Sequence, residues 1–253
     1  MSNFTFGNIA NAKPVSTTNY LKPYEIHENV GIKSTEVKSG TSSNGNAWKS
    51  LVITFGNEEG IHNHSMFYPD EKNPKDVTRP EYDTNNGGKR YAPSAIEELQ
   101  NQISSIGFEF FPDDFAKLQA AAGKIQTVDQ LMEFFKKFID KNLDKVHTKM
   151  KLTGRTSNGR VYATLPKFTG IACADTEKKA ADNGVNLNEW YIWRVSPFGN
   201  KAAFSQYEQQ QADKYHNAKP TTVDNSSVDT DPVNVAIDTP TNDQELGDLL
   251  AAL

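Results

Sequence analysis

A length of 253 residues suffices for one domain of about 200 residues or two smaller ones, and a net charge of -5 with only 36% hydrophobic residues marks a soluble chain with unstructured stretches. No apolar run approaches the roughly 20 residues that cross a bilayer, and a single cysteine, Cys173, excludes an intramolecular disulfide framework and a Cys-rich zinc site. The opening MSNFTFGNIANAKP has neither a basic n-region nor an apolar h-region, so an intracellular, cytoplasmic protein is expected, in which the sequon Asn63-His64-Ser65 is a chance match.

Residues 1–20 hold few periodic apolar positions and read as an irregular arm. Tyr24, Ile26, Val30 and Ile32 follow a strand pattern. An Asn44-Gly45 hairpin turn then leads into Trp48–Phe55, where Leu51, Ile53 and Phe55 alternate with polar or smaller residues. A third strand is expected over Ile61–Tyr68. Residues 69–93, rich in Pro, Asn and Gly, read as a long loop.

The period then changes. Ser94-x-x-Glu97 is a capping box opening a helix over Ala95–Ser105, and Pro112 suits the first position of a helix over Asp113–Ala122. Thr127-x-x-Gln130 caps a longer helix to about Asp144, with Leu131, Phe134, Phe135, Phe138 and Ile139 on one core-facing side. Strands return over Lys149–Phe168 around a second turn, Asn158-Gly159, with further candidates at Ile171–Ala174 and Trp190–Val195. After Ser196 the chain is polar, Gln-rich and then acidic.

Three strands, a helical segment and two or three strands is the order of an OB-fold, a five-stranded barrel with its helix between strands 3 and 4. The fold expected is mainly β (α+β), OB-fold-like, over 21–196. It has a helical insertion over about 94–146, followed by a polar linker and disordered acidic tail over 197–253. Other α+β folds share this order.

The hairpin carries the chemistry. Between Lys141 and Lys167 there are seven basic residues and one acid, Asp144. Strand alternation puts Met150, Leu152, Val161, Ala163 and Leu165 on one face and Lys149, Lys151, Arg155, Arg160 and Tyr162 on the other. A cationic surface with an aromatic ring in it suits single-stranded nucleic acid, whose phosphates are neutralised by Lys and Arg and whose unpaired bases stack on rings. Trp48, opposite in phase to Leu51, Ile53 and Phe55, is a second stacking candidate. Lys167 adds a further cation, and Trp190 to Arg194 form another aromatic cluster that reads more readily as core.

Enzymatic signals are sparse. Neither a P-loop nor a dinucleotide-binding glycine pattern is present, and nothing in the pattern calls for a cofactor. His62 and His64 share one strand face as a candidate metal pair with Asp70 as a conceivable third ligand, but no metal site is assigned. Cys173 has no motif around it and defaults to a buried small hydrophobe.

From Thr221 onward there are seven acids and no Lys or Arg, so the body, residues 1–220, keeps 27 basic against 25 acidic residues. That asymmetry suits a polyanion-binding body. At the end, Leu246, Leu249, Leu250 and Leu253 fall on one helical face among Asp243, Glu245 and Asp248. About two turns are too short to be stable alone but can dock in a partner's groove.

The strand and helix order over 20–196, the segment KLTGRTSNGRVYATLPKF at Lys151–Phe168 and the acidic C-terminus together resemble phage-encoded single-stranded DNA-binding proteins of the OB-fold type. Such tails often end in an aromatic residue, whereas this one ends Leu-Leu-Ala-Ala-Leu. The resemblance implies a non-enzymatic protein that coats single-stranded DNA in replication, recombination or repair, in the cytoplasm of a host cell. Its tail would recruit replication or recombination proteins. Two alternatives stand beside it: a virion or scaffold interaction protein that self-associates, and a metal-dependent nuclease using Asp70 and the histidines. DNA or RNA preference and homo-oligomer formation stay open.

Overall fold

The computed structural model describes residues 18–83, 89–157, 159–166 and 197–218. Its centre is a five-stranded antiparallel sheet in the order β3-β2-β1-β6-β7. The strands are β1 (Glu25–Thr41), β2 (Ala47–Gly56), β3 (Ile61–Phe67), β6 (Thr148–Ser157) and β7 (Arg160–Thr164). Between β3 and β6 come a short helix α1 (Pro74–Val77), a two-stranded ribbon of β4 (Glu81–Asp83) and β5 (Lys89–Tyr91), and helices α2 (Ala95–Phe110), α3 (Phe115–Ala122) and α4 (Val128–Asp140).

β1 serves two neighbours in succession. Glu25 to Val30 pair with β6, and Gly31 to Thr41 pair with β2. Register shifts between His27 and Val30 and between Ile32 and Ser34 mark the handover, and Asn29 takes the left-handed conformation there, at φ 57°. Extra residues at such points bend a strand and increase its twist. The outermost strands β3 and β7 consequently approach to within 8 Å between Cα atoms, although no ladder joins them among the described residues.

The inner face carries Val30, Ile32, Leu51, Ile53, Phe55, Met66, Met150 and Leu152, all buried. Two amphipathic helices cover it. α2 begins with the capping box at Ser94 and Glu97 and buries Leu99, Ile103, Ile106 and Phe110. Its Gln102 reaches His64 on β3 at 3.0 Å, and its Glu109 accepts a hydrogen bond from Thr148 of β6 at 2.7 Å. α2 therefore crosses the sheet. α4 starts at Thr127, whose hydroxyl accepts from the Gln130 N–H. It lies along β1 and β2, with Asp129 bonded to Lys49 at 2.7 Å and Asp140 to Thr35. Phe134, Phe135, Phe138 and Ile139 are buried as their spacing requires. No helix among the described residues is long and apolar enough to cross a membrane.

Several boundaries differ from the sequence expectation. α2 runs on to Phe110 because Ile106 and Phe110 extend its apolar stripe. Pro112 does not start a helix. α3 begins three residues later, after Asp114. The chain after 196 is not all linker. Phe198 is fully buried against Phe55 and Phe110, with ring centroids 5.5 and 5.3 Å away, and the Lys151 N–H donates to the Pro197 carbonyl at 2.7 Å. A helix follows, α5 (Gln206–Asn217), opened by a second capping box at Ser205 and Glu208. The strands expected at Ile171–Ala174 and Trp190–Val195 lie outside the described residues.

Where the chain enters β6 it crosses the β1 handover at van der Waals limit. A Cβ on Gly31 would lie 2.4 Å from the Asp144 carboxylate and 2.5 Å from the His147 ring. Asp144 is fixed there by Lys33 at 2.7 Å, by His147 at 2.8 Å and by its own N–H to the Ile32 carbonyl. Gly31→Ala is expected to cost about 1 kcal/mol, by displacing the part-exposed Asp144 and His147 side chains and their contacts with Lys33, read as a lower urea midpoint at unchanged m-value. Gly45→Ala at the β1–β2 turn meets nothing within 4 Å and tests only its positive φ. A Gly31→Ala midpoint equal to wild type would contradict the tight crossing.

Candidate nucleic-acid interface

The sheet's outer face is the reverse of the helix-covered one. Lys38 of β1, Ser50 of β2 and Phe67 of β3 stand opposite one another in register, and Gly40 pairs with Trp48 in the next row. This brings Trp48 diagonally beside Phe67, with ring centroids 6.2 Å apart and an edge-on angle of 71°. Trp48 is 37% exposed and Phe67 60%. Gly40 makes room for the indole, since a Cβ there would approach the Trp48 ring to 2.9 Å. Two large rings thus lie side by side on this face, next to the buried Ser50 and Val52. Phe67 was legible but overlooked: alternation that sends His62, His64 and Met66 inward sends Phe67 outward.

The second cluster is on the β6–β7 hairpin. Arg155 is directly opposite Tyr162, and Ser157 opposite Arg160, so Arg155, Arg160 and Tyr162 share a face as alternation requires. Gly159 closes the turn at φ 74°, a conformation glycine adopts without penalty. Tyr162 is 45% exposed. Arg155 is exposed and has no ion-pair partner among the described residues.

Lys149 and Lys151 are committed within the protein. Lys149 pairs with Glu28 in the β1 irregularity at 2.8 Å, both side chains being largely exposed, a contact of small energetic worth. Lys151 departs from the sequence expectation of an open phosphate contact: it is 8% exposed. Its ammonium donates to the Ala203 carbonyl at 2.8 Å and to the Glu208 carboxylate at 3.0 and 3.2 Å. Burial works to raise the Glu208 pKa, but the Ser205 N–H and Lys151 prevail and hold the carboxyl below its ordinary range. Lys167, the Trp190–Arg194 cluster and the tail residues lie outside the described residues.

Register also separates the two aromatic clusters along β1. Trp48 is opposite Gly40 near its end, whereas Arg155 lies three residues beyond Leu152, the partner of Glu25 at its start. They form two separate stations on the sheet.

The histidines share a face, as expected, but it is the inner one. His62 is buried, with no hydrogen-bond partner for Nε2. Burial, reinforced by His64 and His27, pushes its pKa down from 6.5 to about 3. Burial lowers His64 as well, against an opposing hydrogen bond that it donates to Gln102. Asp70 closes its own loop, accepting from the Lys72 N–H at 2.9 Å. Among the described residues no group of three or more His, Cys, Asp or Glu side chains is placed to hold a metal ion.

No family model matches this chain, and neither the curated proteins nor the solved structures contain a match to it.

The buried imidazoles have a consequence for stability. A histidine with pKa 6.5 when unfolded and about 3 when folded binds its proton more readily in the unfolded chain, so the stabilising contribution is complete above pH 6.5 and is lost as pH falls toward 3. From pH 7 to 5.5 His62 alone is expected to remove about 1 kcal/mol. Urea unfolding at the two pH values should show that loss in wild type and a correspondingly smaller one in His62→Leu. An equal acid loss in both proteins would contradict the assignment.

Proposed function

We propose that this protein binds single-stranded DNA without sequence preference and protects it during replication, recombination or repair, as a binding protein with no catalytic step. The observation that carries the reading is the pair of exposed aromatic stations, Trp48 with Phe67 and Tyr162 with Arg155, on the outer face of one sheet. Rings offered to solvent beside cations suit unpaired bases, whose faces a duplex hides. The strand order, with the helices between the third and fourth strands of the sheet and with β3 brought near β7, supports an OB-type barrel as the scaffold. In such barrels strands 2 and 3 and the hairpin loops are the binding surface.

In this reading Trp48, Phe67 and Tyr162 stack bases, while Arg155, Arg160, Lys149 and Lys167 meet phosphates. The acidic tail, through Asp243, Glu245 and Asp248 with Leu246, Leu249, Leu250 and Leu253, recruits replication or recombination proteins. Its charge also competes with DNA for the basic body.

Fluorescence anisotropy of a labelled 30-mer oligothymidine, titrated at several salt concentrations, tests the reading. Binding should weaken with salt and exceed that of a duplex of equal length. Trp48→Ala and Tyr162→Ala should each weaken it by about 1–3 kcal/mol, the worth of a stacked base, with the salt slope retained. Arg155→Gln should flatten the slope by about 0.7. Absence of binding at low salt would overturn the proposal and favour the assembly-protein alternative.

A further inference from the structure

On β6, Lys149, Lys151, Thr153 and Arg155 alternate onto the outer face. The cationic row is interrupted where Lys151 is covered by α5. We propose that Lys151 is a cryptic site for a phosphodiester of the bound strand, held shut by the Glu208 carboxylate of a displaceable helix. This rests on the single-strand reading above and adds its regulation.

The seat of α5 is slight. Only Ala212 among its residues is buried, while Tyr207 is 69% exposed. Tyr215 leans on Tyr24 at 5.3 Å between centroids, and His216 reaches the Tyr24 carbonyl at 3.3 Å. A helix of 12 residues has little stability of its own, and a buried ion pair adds little net once desolvation is counted. Lys151 itself is held by strand pairing to Ile26 and remains in place when the helix leaves. An ammonium in such a position needs an anion. A phosphodiester oxygen supplies the same charge-assisted hydrogen bond that the carboxylate now makes. The bound strand and Glu208 therefore compete for one cation, and whatever detaches α5 lengthens the row from Lys149 to Arg155.

Glu208→Gln tests this in the full chain, because glutamine preserves the capping box while removing the competing charge. With labelled 30-mer oligothymidine the variant should bind about five-fold tighter, with a salt slope steeper by about 0.7, the increment for one more phosphate on a single strand. Adding Lys151→Gln should abolish the gain. Ala212→Asp, which unseats the helix without touching either partner, should reproduce it. Amide hydrogen exchange over residues 206–217 should accelerate when the oligonucleotide binds wild type. Wild-type affinity and slope in both Glu208→Gln and Ala212→Asp, or unchanged exchange of α5 in the complex, would overturn the cryptic site while leaving single-strand binding intact. No binding by any of these proteins would instead defeat the single-strand reading itself.

Discussion

The structure depends on β1 pairing with two strands along its length. Seventeen residues facing one partner throughout would make one long twisted ribbon. Instead the first part pairs with β6 and the remainder with β2, with the register shifting near Glu28, Asn29 and Lys33. Strand twist and the bend at these irregularities turn the sheet so that its two outer strands come near each other. The chain entering β6 packs closely on Gly31 beside this handover.

Curvature divides the labour between the two faces. The inner face meets α2 and α4 and is filled by branched aliphatic side chains and by the ring cluster of Phe55, Phe110 and Phe198. It also takes in His62, whose neutral imidazole ties stability to pH. On the outer face Ser50 and Val52 of β2 are buried, whereas the rings of Trp48 and Phe67 are not. There Trp48 and Phe67 remain in solvent, where burial of either ring would contribute on the order of 2 kcal/mol. In the proposed reading these rings meet the bases of a single strand, with Lys38, paired with Glu36 at 3.3 Å, in the adjacent row.

Much of this was legible in the sequence for local reasons. Helix starts at Ser94 and Thr127 are encoded by side chains that satisfy the first free N–H groups, and the Phe134 to Ile139 stripe by helical period. The two Asn-Gly turns and the alternation around them gave the hairpins and the face shared by Arg155, Arg160 and Tyr162. What escaped was nonlocal. Lys151 looks like any exposed strand lysine until a segment 57 residues later folds back to place Glu208 on it. Phe198, in a polar stretch, has no periodicity to announce it, and its burial follows from a space between Phe55 and Phe110 that only the tertiary fold creates. The separation of Trp48 from Tyr162 likewise comes from strand register, which hydrophobic patterns do not specify across strands far apart in sequence.

The central claim is that a single strand lies on the outer face of this sheet. Photocrosslinking with an oligothymidine carrying 5-iodouracil at scattered positions, followed by peptide mass spectrometry, asks this directly. Crosslinks at Trp48, Phe67 and Tyr162 are expected, all three facing outward. Crosslinks confined to the peptides of α2, α3 and α4, or none under conditions of saturated binding, would contradict it.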